Sequence, residues 1–533
     1  MSLLDEVSIM ITPNGRSTSA SGESVLFGVL PQPIIGVERV TNGDFATGDL
    51  SGWTTTGGKW TYSDGKVRLQ SSNTDASPFY QDNIFVIGKT YRITFDAVVT
   101  LGQGKLEKNG GLSLININTT KTYDFYWTAD RTQLYFNILT SSPNTDLTLD
   151  NISVKEYTTS DMDFTRATTA TFINNTNTIQ GTSAGIPRLD YTGTSCPHIL
   201  VEPQRTNLLD DGNAAASLTE VTVTNTTSPD GTANALKLTE TTANDQHFAT
   251  ISEATVSSGS VYTMSIFVKK GTQSSVTIYT QSSRMISNIA VDLDAGSVVV
   301  AGTDIVSGSG TISSYVNNWY RVAWSGTANA SGAMSIYATV KSLATYTGST
   351  SEYTEYFGGQ VELGSYATSY IPTSGSTVTR NGEVFERTGI ADLINSAEGV
   401  LFIEMAALAD SGIHRQISLN DGTNDNRVSI GLSNSSNIVS AQVVSGGAFQ
   451  ANKTNAMTQT NFNKIALKWK ANDMALWLNG SEVATDSSVT VPIGLDTLDF
   501  NRGDDANWFF GKVRQIQVYK TALSDTQLGA LTT

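Results

Sequence analysis

Cysteine and histidine are nearly missing from this chain of 533 residues: there is one Cys, Cys196, and three His, at 198, 247 and 414. One thiol excludes an intrachain disulfide framework, and the scattered imidazoles offer no Cys/His zinc spacing. Cys196 is expected to be a small buried or half-buried thiol. Basic charge is scarce as well. Lys and Arg total 33 against 49 Asp and Glu, a formal charge of −16, and no basic run could track a phosphate backbone, which argues against nucleic acid as a partner. No stretch holds the ~18 consecutive apolar residues of a membrane-spanning helix. The opening MSLLDEVSIMITPNG carries acids where an export signal needs basic residues, so synthesis in a cytoplasm is expected. With only 15% charged residues, long solvated helices would lack their usual Lys and Glu.

What the chain does have is Ser, Thr, Asn and Gly punctuating short apolar-alternating runs, the composition of strands joined by polar turns. Its length implies about three to four domains. Residues 36–157 read as a β-sandwich built from VRLQ, YRITFDAVV, LSLINI, QLYFNIL and LTLDNISVKEY. In YRITFDAVV, Tyr91, Ile93, Phe95 and Ala97 share one face while Arg92, Thr94 and Asp96 share the other. Residues 208–381 repeat this grammar: GKTYRITFDAVV aligns with GSVYTMSIFVKK, and the closing LTLDNISVKEY with EYFGGQVELGSY. Between them, 158–207 reads as an extended, edge-like connector because Pro187, Pro197 and Pro203 fix φ and deny donors. Residues 382–533 form a third strand-rich unit in which LKWKANDMALWLNG is a hairpin turning at Ala471-Asn472-Asp473. The chain then ends in a short helix capped by Ser524 with Gln527 at the capping-box position.

Three groups of phrases carry a resemblance. VTNGDFATGDLSGW resembles the opening of a carbohydrate-binding module with a galactose-binding-like jelly roll. FTRATTATFIN, IPRLDY and HILVEPQRTNLL, with TSYIPTSGSTVTRNGEVFERTG after the second module, resemble segments of phage tail-fibre and head-fibre proteins. LFIEMAAL through GKVRQIQVYKTALSDTQLGALTT is similar to a concanavalin A-like, laminin-G-type sandwich. The fold implied is all-β: two jelly rolls and one concanavalin A-like sandwich in tandem, joined by the connector, behind residues 1–35 as an anchor to the particle.

The resemblance also implies chemistry. A structural Ca²⁺ would tie the opening loop to the last strand through Asp44 and Asp150, with Asn42 a weaker ligand; the alternative is that Asp44 makes an Asx turn and Asp150 bonds nearby backbone. Aromatic faces stack on sugar rings. Trp53, Trp60, Tyr62, Tyr123, Tyr126 and Trp127 could supply such a face; Trp53 reads chiefly as core, as does at least one of Trp319 and Trp324, whereas Tyr123, Tyr126 and Trp127, within a run of five side chains that cannot all face inward, are the expected glycan platform. In the third unit the polar loops Asn420–Asn426 and Asn501–Trp508 are either solvated turns or rims for Ca²⁺ or glycan, with Trp508 a further glycan candidate. Arg166, Arg188 and Arg205 are expected to be structural: Arg188–Asp190 and Glu202–Arg205 should fix the connector against a module or a neighbouring subunit. No nucleophile elbow, P-loop or zinc motif is present.

The function implied is that of a non-catalytic virion component, a fibre or appendage subunit that attaches to cell-surface or environmental polysaccharide. It would be held to other virion proteins through its N-terminal segment, inserted in no membrane and homo-oligomeric, with trimer symmetry favoured. The alternatives are a purely structural head or tail decoration protein without glycan binding, and a polysaccharide depolymerase, which would need an acid pair across a cleft.

Overall fold

Alternation of apolar and polar side chains becomes antiparallel strands along nearly the whole chain. The computed structural model describes residues 7–12, 17–18, 24–25, 28–30, 34–139, 141–142, 144–158, 162–193 and 196–533. Two units result, residues 29–160 and the remainder. Together they hold three β-sandwiches in tandem.

In unit 29–160 the strand Thr90–Leu101 lies between Lys121–Thr128 and Thr145–Thr158, and the sheet continues through Lys66–Ser71 to Trp60–Ser63. The facing sheet runs Ser113–Ile117, Gly104–Glu107, Leu134–Ile138, Phe79–Gln81, Thr54–Thr55. Trp53 stacks on Phe79 at 4.1 Å and Trp60 on the same ring at 5.0 Å, so both tryptophans are core, Trp53 as expected. The N-G-D-F phrase has a packing reason: a Cβ on Gly43 would sit 1.9 Å from the Ile152 carbonyl oxygen, while the Ile152 amide donates to the Gly43 carbonyl at 2.8 Å. Phe45, next in line, accepts a left-handed φ of 50° because its ring is buried in the core.

The second sandwich faces two six-stranded sheets. Val261–Lys269 lies beside Tyr353–Leu363, the same adjacency that Thr90–Leu101 makes with Thr145–Thr158, as the repeat implied. Trp319 and Trp324 are both fully buried.

In the third sandwich Glu398–Ala407 is central, with Asn463–Lys470 on one side and Gly511–Tyr519 on the other. The outer edge of Gly511–Tyr519 is tiled end to end by two borrowed strands: His198–Val201 along its first residues and Val7–Thr12 along its last. The second sheet borrows Asp163–Thr165, which pairs with Val384–Arg387. These pairings correct one expectation. Val7–Thr12 is not a free anchor, because Ile9 and Ile11 point into this core; most of the rest of 1–35 lies outside the described residues. The connector, read as extended and edge-like, supplies edge strands to both sheets of the third sandwich. Cys196, expected to be at least half-buried, is exposed. The terminal helix Asp525–Thr532 has its expected capping box, Ser524 Oγ accepting from the Gln527 amide.

Arg166, Arg188 and Arg380 converge on Glu202 and Glu383 where the connector meets the rest of this unit. Arg188 bonds Glu202 at 2.8 Å and Glu383 at 2.6 Å, Arg166 bonds Glu383 at 2.7 Å and Arg380 bonds Glu202 at 2.7 Å. The structural role expected of Arg188 and Glu202 holds, but their partners are not their sequence neighbours. Asp190 instead accepts from the Ile173 and Thr192 amides, and Arg205 approaches Glu362 at 4.0 Å.

Candidate functional site

Register along Lys121–Thr128 decides the aromatic run. Tyr123, Phe125 and Trp127 stand opposite Phe95, Ile93 and Tyr91, all inward residues. Tyr123 is buried and stacks on Phe95 at 4.8 Å, and Trp127 sets its edge on Phe85 at 5.0 Å. Neither is a glycan platform, because period-two alternation carries every odd member of the run into the core. The backbone of Tyr126 pairs with Arg92; its side chain lies outside the described residues.

The outward face of the opposite sheet holds what the sequence reading missed. Tyr80 and Tyr135 are paired across two strands and stack at 5.2 Å with 20° between planes. The Arg131 guanidinium lies 4.4 Å over Tyr135 and donates to Gln133, which donates to Asp82. Beside the rings, Glu107 bonds Lys105 at 2.8 Å and accepts from Asn137 at 3.1 Å. Lys105, Glu107 and Asn137 are each less than a tenth exposed although they stand on an outer face. Burial, then Glu107, pushes the Tyr135 phenol up. The result is a preorganised, half-exposed aromatic step rimmed by fixed donors and acceptors. The signal was present in PFYQ and QLYFNIL: if Phe79 and Phe136 face inward, Tyr80 and Tyr135 must face outward.

The expected calcium ligands do not converge. Asp44 is exposed and caps its own turn, accepting from the Ala46 amide at 3.2 Å. Asp150 accepts from the Asn151 amide and sits 3.7 Å from Lys66. Asn42 Oδ1 is buried without a hydrogen-bond partner, and it alone fits a cation; one oxygen is no coordination shell for Ca²⁺. No group of three His, Cys, Asp or Glu gathers anywhere among the described residues. The opening loop and last strand are joined instead by the Gly43–Ile152 backbone contact.

In the third sandwich the loop Asn501–Trp508 folds across the outer face of the sheet. Ser418 Oγ donates to the Asn501 carbonyl and the Gln416 amide to the Asn507 carbonyl, with half-buried Trp508 bridged to Gln416. Arg502 and Asp504 pair at 2.6 Å, so this polar loop is partly self-satisfied. Beneath it Asp499 is buried; burial, then Glu386 and Asp505, outweighs the hydrogen bond from Asn420 and raises its carboxyl to about 6. Glu386 stands directly opposite Asp499 in register. Burial, then Arg502, lowers the nearby Arg427 to about 10.

Residues 402–529 match the family model of the concanavalin A-like lectin/glucanases superfamily. The matched range contains both the Asn420–Asn426 and Asn501–Trp508 loops, and the sheets its strands form include the three segments described above from outside that range. Solved structures similar to parts of the chain include the CBM40 of Ruminococcus gnavus IT-sialidase bound to α2,3-sialyllactose, with 22% identity over 27% of this chain and 86% of that one and a TM-score of 0.24. The tandem CBM22 domains of Paenibacillus barcinonensis Xyn10C align at 10% identity over 63% of this chain and 99% of that one, TM-score 0.20. Domains LG4-5 of the mouse laminin α1 chain align at 10% identity over 58% and 93%, TM-score 0.19. No curated protein matches the chain.

Proposed function

We propose that this protein is a non-catalytic glycan-binding subunit of a phage appendage, fibre-like and trimeric, contacting other virion proteins through N-terminal residues outside the Val7–Thr12 strand. The observation that carries the binding role is the stacked Tyr80–Tyr135 pair, held half-exposed beside Arg131 and the Lys105–Glu107–Asn137 cluster. Aromatic faces take the C–H side of a pyranose while such fixed polar groups bond its hydroxyls. The concanavalin A-like module supports the same reading, and the phage phrases in the connector support the appendage role. Single sugar sites are weak, so several copies on one fibre would raise avidity through effective concentration.

The test is a bacterial glycan array and whole-cell binding, run with and without chelator, on the wild type, Tyr80→Ala and Tyr135→Ala. Each variant should bind about tenfold more weakly, the loss of ~1.4 kcal/mol. Undiminished binding in both would remove the platform from the reading, and no binding by any form would favour a purely structural decoration protein. The chelator arm decides whether calcium matters.

A depolymerase is the second reading, favoured by one observation: Asp499, raised to about 6, faces Glu386 across the outer sheet of the concanavalin A-like module, and a raised acid beside a second carboxylate is what glycoside hydrolysis requires. Release of reducing ends that disappears in Asp499→Asn would establish it.

A further inference from the structure

Where the connector packs between the second and third sandwiches it lines a half-open cavity of about 240 Å³. Phe267 and Tyr315 form its apolar side, and Arg321, Lys512, Asp190 and Glu202 reach its wall. Its two acids are already satisfied. Glu202 is matched by Arg188 and Arg380, and both Asp190 oxygens accept backbone amides at 2.8 Å. Its two cations make no ion pair among the described residues, although the Lys512 charge reaches Asp190. Arg321 donates to the Thr368 carbonyl and Ser265 hydroxyl, both neutral, and its buried Nε has no acceptor. Lys512 makes no ion pair among the described residues. The adjoining buried network adds a further positive charge, three arginines against Glu202 and Glu383. In a chain of formal charge −16, a half-open pocket with surplus cation suits an anion.

An arginine fork suits a carboxylate, an aromatic wall suits a sugar ring, and the volume admits one ring with its substituents. We propose that this cavity binds a single carboxylated monosaccharide unit, free or terminal on a glycan, with its carboxylate toward Arg321 and Lys512. The site is separate from the Tyr80–Tyr135 platform, so either can fail without the other.

The test is isothermal titration with saturation-transfer NMR on the full chain, using glucuronate, N-acetylneuraminate, glucose and acetate. At least one acidic sugar should bind about tenfold more tightly than glucose and than acetate, and raised salt should weaken it. Lys512→Gln, a half-buried position whose side chain joins no core, should weaken it about tenfold, as should Arg321→Lys, which keeps charge but loses the fork. Equal response to glucose, acetate as tight as the sugars, no binding by either acidic sugar, or an unaltered Lys512→Gln titration would each overturn the proposal.

Discussion

At the residue scale, buried charge is the dominant expense and the most informative feature. Glu383 holds Arg166 and Arg188 with no exposed side-chain surface on any of the three; removing it leaves two cations in a dry site, so Glu383→Ala should destabilise this unit by about 3–5 kcal/mol in denaturant unfolding. Glu202 is the counter-case to Asp499. Burial opposes its charge, but Arg380 and Arg188 prevail and hold it at about 2, so its contribution is present above the usual carboxylate range and is lost as pH falls through about 2. Asp499, raised to about 6 from 3.8, works in the opposite direction. Between those values the folded state keeps a proton that the unfolded chain has released, so stability falls as pH rises through that window. Asp499→Asn preserves the acceptor for Asn420 and should abolish this slope, stabilising the protein at pH 7.5 by on the order of 3 kcal/mol while changing little at pH 3.5. Thermal melts across pH check it.

At the element scale, strands were legible wherever alternation was clean, but alternation alone did not tell which aromatics face outward. Tyr123 and Trp127 turn inward for the same reason that Tyr80 and Tyr135 turn outward: only the register against Phe95 and Phe79 fixes which parity is inward. Short strands without alternation were harder to place. His198–Val201 is apolar and buried throughout, and nothing in four residues says that it lies beside Gly511–Tyr519. The N-G-D-F loop illustrates the difference between a motif and its mechanism. Gly43→Ala would drive a Cβ into the Ile152 carbonyl, and we expect a loss of about 1–3 kcal/mol that added calcium does not restore. The terminal helix depends on its cap; Ser524→Ala should cost about 1 kcal/mol, read as a lower unfolding midpoint.

At the scale of the whole molecule, the third sandwich is discontinuous in sequence. Its sheets include Val7–Thr12, Asp163–Thr165 and His198–Val201, which cover edges that would otherwise offer unpaired backbone to other chains. Residues 382–533 expressed alone should therefore aggregate or unfold without cooperativity, whereas residues 29–160, which own a complete core, should give a single cooperative transition. Circular dichroism melts of the two fragments distinguish these outcomes, and a well-folded 382–533 fragment would contradict the borrowed-strand account.

Composition, period-two alternation and turn residues determined by themselves that the chain is all-β, divided into several sandwiches and closed by a capped helix, because those properties depend on local sequence and on which face of a strand is apolar. Tertiary structure alone decided that Arg188 meets Glu383 across 195 residues, that Asp499 is buried under Asn501–Trp508, and that Tyr80 stacks on Tyr135. Each of these depends on long-range register and on what covers a face, and a single chain read in order carries no distance between residues that only the fold brings together.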